Sequence, residues 1–213
     1  MYTVKDIFYL ALTAYIGQIV MEVDLIPEER KMLLRQLATY IRNKLDQGER
    51  VTLNFICTHN SRRSHISQIW AATAAAWYGL DHISTYSGGT EATAFNPRAV
   101  KAMERAGFHI YQPRGENPHY NVRFSEYAPA LECFSKTYDD PFNPAQGFAA
   151  IMTCSDADEH CPYIPGTELR LALTYSDPKE ADGTTEEANR YDERVRQIGR
   201  EIFYAMHLVH QLQ

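Results

Sequence analysis

Residues 51–64 read VTLNFICTHNSRRS. From Val51 to Ile56 the apolar side chains (Val51, Leu53, Phe55, Ile56) fall on both faces of an extended segment, the pattern of a central strand in a parallel sheet. The strand ends on a thiol, Cys57. Polar and basic residues follow at once, and an alanine-rich helical stretch runs from Arg63 to Tyr78. Cys57, five intervening residues and Arg63 make C-x5-R at the junction of strand and helix. Successive backbone N–H groups in so short a loop, with the positive end of the helix behind them, form a concave site for a tetrahedral oxyanion. Arg63 adds two parallel charge-assisted hydrogen bonds. The same positive field favours a thiolate, so Cys57 is a candidate nucleophile. Thr58, His59, Asn60, Ser61, Arg62, Arg63 and Ser64 are the expected oxyanion-binding residues, with Ser64 also placed to hydrogen-bond the thiolate. The plainer reading is a buried structural cysteine before a polar loop, since C-x5-R alone arises often by chance. Its position between an apolar strand and a helix favours the anion site.

Outward from that stretch, strand and helix alternate. A second strand at Ile83 to Ser87 ends at Gly88-Gly89, a helix from Pro97 to Ala106 is closed by Gly107, and a strand resumes at Ala149 to Thr153. A closing helix from Asp192 to Leu212 carries Val195, Ile198, Ile202, Phe203, Met206 and Val209 on one face. The alternation predicts a doubly wound α/β fold on a four-stranded parallel sheet. Between Tyr111 and Gly147 prolines and asparagines surround two alternating segments, His119 to Phe124 and Leu131 to Tyr138, which predict an inserted β-hairpin. Before the first strand, Pro27-Glu28-Glu29 opens a helix whose Leu33, Leu34, Leu37, Ile41 and Leu45 recur at helical spacing until Asp46-Gln47-Gly48. The partly apolar segment from Tyr2 to Val23 is expected to form a second amphipathic helix. Residues 1–48 are thus expected to be an N-terminal helical extension and 49–213 the α/β domain, with the hairpin at about 112–147.

The chain has 213 residues, 45% hydrophobic and 12% aromatic, enough to bury a core without staples. Its net charge of −6 opposes recruitment to nucleic acid or anionic membrane, and neither is expected as a partner. The N-terminal apolar run is shorter than the ~20 residues a bilayer span requires. It has no basic flank or small-residue cleavage site, so a cytoplasmic location is expected. In that setting the cysteines at 57, 133, 154 and 161 suggest thiol or metal chemistry in place of disulfide staples. Cys154, Asp156, His160 and Cys161 could together hold zinc, but C-x6-C is not a compact structural-zinc spacing, and no metal is expected.

CTHNSRRS resembles the active-site loop of the low-molecular-weight protein tyrosine phosphatases and of the thioredoxin-coupled arsenate reductases that share their fold. The resemblance continues at Tyr86-Ser87-Gly88-Gly89-Thr90-Glu91, Asn96-Pro97-Arg98-Ala99, CSDADEHCP (Cys154 to Pro162) and Ser176-Asp177-Pro178. It covers roughly residues 50 to 210 apart from the hairpin. It implies a phosphatase-like domain in which Asp177 is the general acid, although Ser-Asp-Pro is by itself ordinary turn chemistry. Cys154 and Cys161 resemble the two further cysteines of the reductase branch. The implied relay runs from Cys57 to Cys154 to Cys161, with thioredoxin as electron donor and no bound cofactor. The expected substrate is arsenate, and the alternative is a phosphate monoester hydrolysed through a Cys57 phosphocysteine. A non-catalytic anion-binding protein that kept the loop is a third reading.

The chain also departs from the family pattern. Lys179-Glu180-Ala181 stand where phosphotyrosine phosphatases place aromatic residues, and the hairpin's Tyr120, Phe124, Tyr127, Phe134 and Tyr138 are the candidates to replace that wall. Arg62 and His59 replace a cysteine and a glycine common in reductase loops. At the potassium site of some reductases Asn60 and Ser87 match, while Gln68 replaces a glutamate. Cys133 is expected to be an apolar filler and His65 to lie on its helix's surface.

Overall fold

The computed structural model describes residues 7–161 and 163–211. In chain order it contains α1 (Leu10–Ile19), a 3-10 segment (Val20–Leu25), α2 (Glu28–Asp46), β1 (Val51–Cys57), α3 (Arg63–Tyr78), β2 (Ile83–Gly89) and α4 (Pro97–Arg105). Three short strands follow, β3 (His109–Tyr111), β4 (Tyr120–Arg123) and β5 (Leu131–Cys133). The chain then forms β6 (Phe148–Met152), α5 (Ser155–His160), β7 (Thr167–Ala172), a 3-10 turn (Pro178–Ala181) and α6 (Glu187–Gln211).

Four strands make the expected parallel sheet, in the order β2-β1-β6-β7. The central strand β1 feeds both faces. Val51, Leu53 and Phe55 enter the main apolar core, whereas Ile56 and Cys57 enter a second, smaller cluster with Phe148, Ala150, Met152, Cys154, Ala157 and Ile164. This two-sided burial is the physical content of its near-continuous apolar sequence. On the main side lie α3 and α6, where Trp70 of α3 is fully buried and donates its indole N–H to the Val195 carbonyl at 3.0 Å.

The helix boundaries follow local chemistry. The Asn96 side chain caps α4 by accepting from the Arg98 N–H at 2.9 Å, and Pro97 opens the helix. Gly107 follows at φ +106°, and a Cβ there would stand 2.4 Å from the Leu12 nitrogen. Glycine is therefore required both by the backbone angle and by the close approach of α1. The six apolar residues expected on one face of α6 are all buried, and the helix begins five residues earlier than the pattern indicated, at Glu187.

The hairpin is present as the antiparallel pair β4–β5, and β3 joins it to make a three-stranded sheet. The N-terminal helix is shorter than expected. It starts at Leu10, buries Leu12, Ile16 and Ile19, and tightens into the 3-10 segment; Tyr2 to Asp6 lie outside the described residues. Both N-terminal helices share one core with α6, and ion pairs tie the layers together, Glu22 to Arg196 and Arg200, and Arg30 to Glu201. Among the described residues no single helix is long and apolar enough to cross a membrane.

Candidate active site

Cys57 closes β1 and is almost fully buried, with its sulfur 3.1 Å from the Ser64 hydroxyl. The chain turns through Asn60, a non-glycine residue at φ +43°, and enters α3 at Arg63. Asparagine tolerates this left-handed conformation, and here its amide is held from both sides. Its Oδ1 accepts from the Lys136 N–H at 3.0 Å, and its Nδ2 donates to Ser64 Oγ at 2.9 Å. Of the two amide atoms only the oxygen can accept from a backbone N–H, so the amide orientation is fixed. Ser64 Oγ accepts from Asn60, and its own proton is left to donate to the Cys57 sulfur.

The loop's carbonyls point outward. Cys57 O accepts from the Thr90 N–H, Thr58 O from the Glu91 N–H and Thr90 Oγ1, Ser61 O from the Asn96 N–H, and His59 O from Thr93 Oγ1 and Ser135 Oγ. Among the described residues none of the backbone N–H groups of Thr58 to Arg62 donates to a protein acceptor. With the carbonyls engaged by neighbouring segments and these N–H groups without protein acceptors, the loop has the unspent donors that an anion cradle requires. Gly89 makes this wrapping possible, because a Cβ at that position would meet the Glu91 and Thr58 carbonyl oxygens and the Asn60 nitrogen at 2.4, 2.6 and 2.7 Å. The segment carrying Ser135 and Lys136 belongs to the insertion, and its role behind the loop was not expected from sequence. Each of its bonds to the loop pairs a side chain with a main-chain atom, Ser135 Oγ with His59 O and Asn60 Oδ1 with Lys136 N, and half of such a pair leaves no trace in residue type.

Arg63 donates to the Tyr175 carbonyl at 2.8 Å and to Asp177 Oδ2 at 2.7 Å, and its buried Nε has no protein partner. Asp177 caps the 3-10 turn by accepting from the Lys179 N–H at 3.1 Å, with Pro178 fixing the turn's first angle. The arginine and the aspartate, 114 residues apart in sequence, are thus brought together. Arg62 turns away from the loop, donates to the Tyr191 hydroxyl at 2.9 Å and stands 3.8 Å from Asp182. His59 is half exposed and pairs with Glu91.

All four cysteines are free thiols. Cys154 is buried in the same small cluster as Cys57, and Cys161 packs against that cluster while remaining partly exposed. The Thr58 hydroxyl links the loop to this region, 3.4 Å from the Cys154 sulfur and donating to Asp156 Oδ2 at 2.7 Å. Cys154 is the N-cap of α5, its sulfur accepting from the Ala157 N–H at 3.4 Å, and Cys161 is the C-cap. A rise of about 1.5 Å per residue puts their Cα atoms about 10 Å apart. A disulfide tolerates at most about 7 Å. The two thiols can therefore join only if α5 unwinds. Among the described residues no three His, Cys, Asp or Glu side chains converge as a metal ion would require.

Of the five hairpin aromatics only Tyr138 packs against the thiol cluster. Tyr120 and Phe124 are in the main core, Tyr127 is exposed, and Phe134 stacks on His119 and meets Phe142 edge-on. Asn60, Ser87 and Gln68 are all buried. The Asn60 amide is spent on Ser64 and Lys136, and the Gln68 NH2 group donates to Thr85 O. Cys133 is fully buried, and burial pushes its thiol up to about 12.

His65 corrects an expectation. It is fully buried, stacked on Phe95 at 4.3 Å, with Nε2 3.2 Å from the Phe134 carbonyl. Loss of hydration and the nearby Lys136 ammonium push its pKa down from 6.5 to about 3. The folded state therefore binds fewer protons than the unfolded chain between those values. Stability is expected to fall as pH drops from about 6.5 towards about 3. Urea denaturation of the parent and of His65→Phe across that range checks this: the variant should lose about one proton's worth of the pH slope.

Residues 52–120 match the family described as low molecular weight phosphotyrosine protein phosphatase. An arsenate reductase of Bacillus licheniformis is 32% identical over 152 residues, covering 71% of this chain and 91% of that protein. An arsenate reductase of Bacillus subtilis is 32% identical over 155 residues, covering 72% and 94%. Among solved structures, the YwlE arginine phosphatase from Geobacillus stearothermophilus aligns with 76% of this chain and 95% of its own at 13% identity and a TM-score of 0.49. The chain belongs to the low-molecular-weight phosphotyrosine protein phosphatase family, and these two relatives within it are arsenate reductases.

Proposed function

We propose that the protein is a cytoplasmic arsenate reductase that uses three thiols in sequence and is recycled by thioredoxin. The observation that carries this reading is that Cys57, Cys154 and Cys161 meet at one small apolar cluster, with only Cys161 partly open to solvent. A hydrolase needs the first thiol alone. In the proposed reaction the Cys57 sulfur attacks arsenic while the cradle's N–H groups and Arg63 hold the oxyanion. Asp177, beside Arg63, protonates the departing hydroxyl, which leaves as water. Cys154 then attacks the Cys57 sulfur. An S–S bond forms, the arsenic–sulfur electron pair passes to arsenic, and arsenic(V) leaves as arsenite. Cys161 attacks Cys154, releases Cys57 as a thiol and leaves a Cys154–Cys161 disulfide for the dithiol of thioredoxin. The need for α5 to unwind supports placing the exchange there, because its segment can bring the oxidised pair from a buried site to the surface.

The second reading is phosphate-ester hydrolysis through a Cys57 phosphocysteine, favoured by the Arg63–Asp177 pair, which serves ester cleavage equally well. Arsenate-dependent oxidation of NADPH through thioredoxin and its reductase, measured beside p-nitrophenyl phosphate hydrolysis, separates the two. Cys154→Ser and Cys161→Ser should each lose arsenate turnover and keep ester hydrolysis within about threefold, since neither supplies a donor to the anion and Cys154 meets the loop only at the Thr58 hydroxyl, which a serine can still bond. Efficient ester hydrolysis in a parent with no arsenate turnover would overturn the reductase reading.

A further inference from the structure

The C-terminal end of α5 is held by a residue outside every motif discussed above. Arg170, in the edge strand β7, donates from one terminal guanidinium nitrogen to the Asp158 carbonyl at 2.7 Å and from Nε to the Cys161 carbonyl at 3.2 Å. The same terminal nitrogen is ion-paired with Asp158 Oδ1 at 2.6 Å. The Arg170 side chain is three-quarters buried. The last carbonyls of a helix have no intrahelical partners, and a cation at that end is favoured by the helix dipole. Arg170 supplies both the donors and the charge. At the other end the Cys154 sulfur is the cap.

We propose that Arg170 is a positioning residue that sets the redox balance of the Cys154–Cys161 pair by stabilising the helical dithiol form alone. The inference rests on the thiol relay above. Closing about 10 Å to disulfide distance means unwinding the last turn of α5, which carries the Asp158 and Cys161 carbonyls away from the Arg170 fork. The bonds exist in the dithiol state and are lost on oxidation. On oxidation, the two thiols give up two protons and two electrons to arsenate; on recycling, the thioredoxin dithiol returns them. Arg170 shifts this equilibrium towards the dithiol, so the disulfide is easier for the reductant to open.

The test is the equilibrium of the full-length chain with glutathione buffers of graded composition, quenched by alkylation and read by peptide mass spectrometry. Parent and variants carry Cys57→Ser, so that Cys154 and Cys161 have each other as partners. In Arg170→Met the constant for forming the Cys154–Cys161 disulfide should rise about tenfold, a fall of about 30 mV in potential. Arg170→Lys, which keeps the charge but loses the two-pronged bond, should fall between, and it carries the test if thermal melting shows Arg170→Met to be unfolded. A shift below twofold, or one towards the dithiol, with the disulfide present in the parent, would overturn the role of Arg170 and leave the relay standing. A parent that forms no Cys154–Cys161 disulfide would overturn the relay and the role of Arg170 with it.

Discussion

Cys57→Ser is expected to lose both arsenate turnover and p-nitrophenyl phosphate hydrolysis, by a factor on the order of 10⁴ or more. A serine hydroxyl at that position keeps the size of the side chain and a hydrogen bond to Ser64, whose oxygen is 3.1 Å from the sulfur in the parent. It lacks an ionised form at neutral pH and so cannot attack. Because the proposed cradle consists of backbone N–H groups and Arg63, none of which the substitution removes, the variant should still bind inorganic phosphate, and its unfolding free energy should stay within about 1 kcal/mol of the parent. Steady-state kinetics, phosphate titration and urea denaturation together separate a lost nucleophile from a lost fold. A Cys57→Ser protein that turned over either substrate at the parent's rate would place the chemistry elsewhere.

The second large effect is expected at a residue with no functional group. Gly89→Ala introduces a carbon that would stand 2.4 to 2.7 Å from Glu91 O, Thr58 O and Asn60 N. All three are backbone atoms, so no side chain can swing aside, and two belong to the loop itself. Movement by a few tenths of an ångström to 1 Å would misplace the N–H groups proposed to hold the oxyanion, for which a loss of about 10² in kcat/KM is expected for both substrates. Phosphate affinity should weaken alongside. Gly17→Ala is the matching control. Nothing lies within 4 Å of a Cβ there, and in the last turn of α1 the added methyl should leave activity unchanged. Full activity in Gly89→Ala would mean that the loop tolerates displacement and that its rigidity has been overvalued.

The sheet, the cysteine loop and the helix after it were legible because each is specified locally: a two-faced apolar strand, a break of polar residues, an alanine-rich helix. The bounds of α4 were equally local, in the Asn96-Pro97 start and Gly107. Other features depended on partners that sequence does not name. Three residues at His109–Tyr111 become a strand only because Asn121–Arg123 lies beside them. His65 was misplaced because α3 is covered nearly all round. Its Ser64, Ser67, Gln68 and Thr73 are buried too, and a helix with polar residues on every side reads as having a wet face. The bonds from Ser135 and Lys136 to the back of the loop, and the fork of Arg170, join positions 76, 9 and 12 residues apart through main-chain atoms. No spacing rule links an arginine in a strand to the carbonyls of a helix.

The shared core of the N-terminal helices and α6 bears on how the chain matures as it is synthesised. Glu22 finds Arg196 and Arg30 finds Glu201 across 174 and 171 residues, and Leu12, Ile16 and Leu34 belong to the same core as Val195, Ile198 and Ile202. Synthesis runs from the N-terminal side, so these two helices leave the ribosome well before α6 does. Until then the part of their apolar surface that α6 covers lies open, and closure waits on contacts between elements far apart in sequence, the slowest kind to form. In the interval between the two events that surface is open to wrong contacts, and the longer the interval the greater the exposure to misassembly.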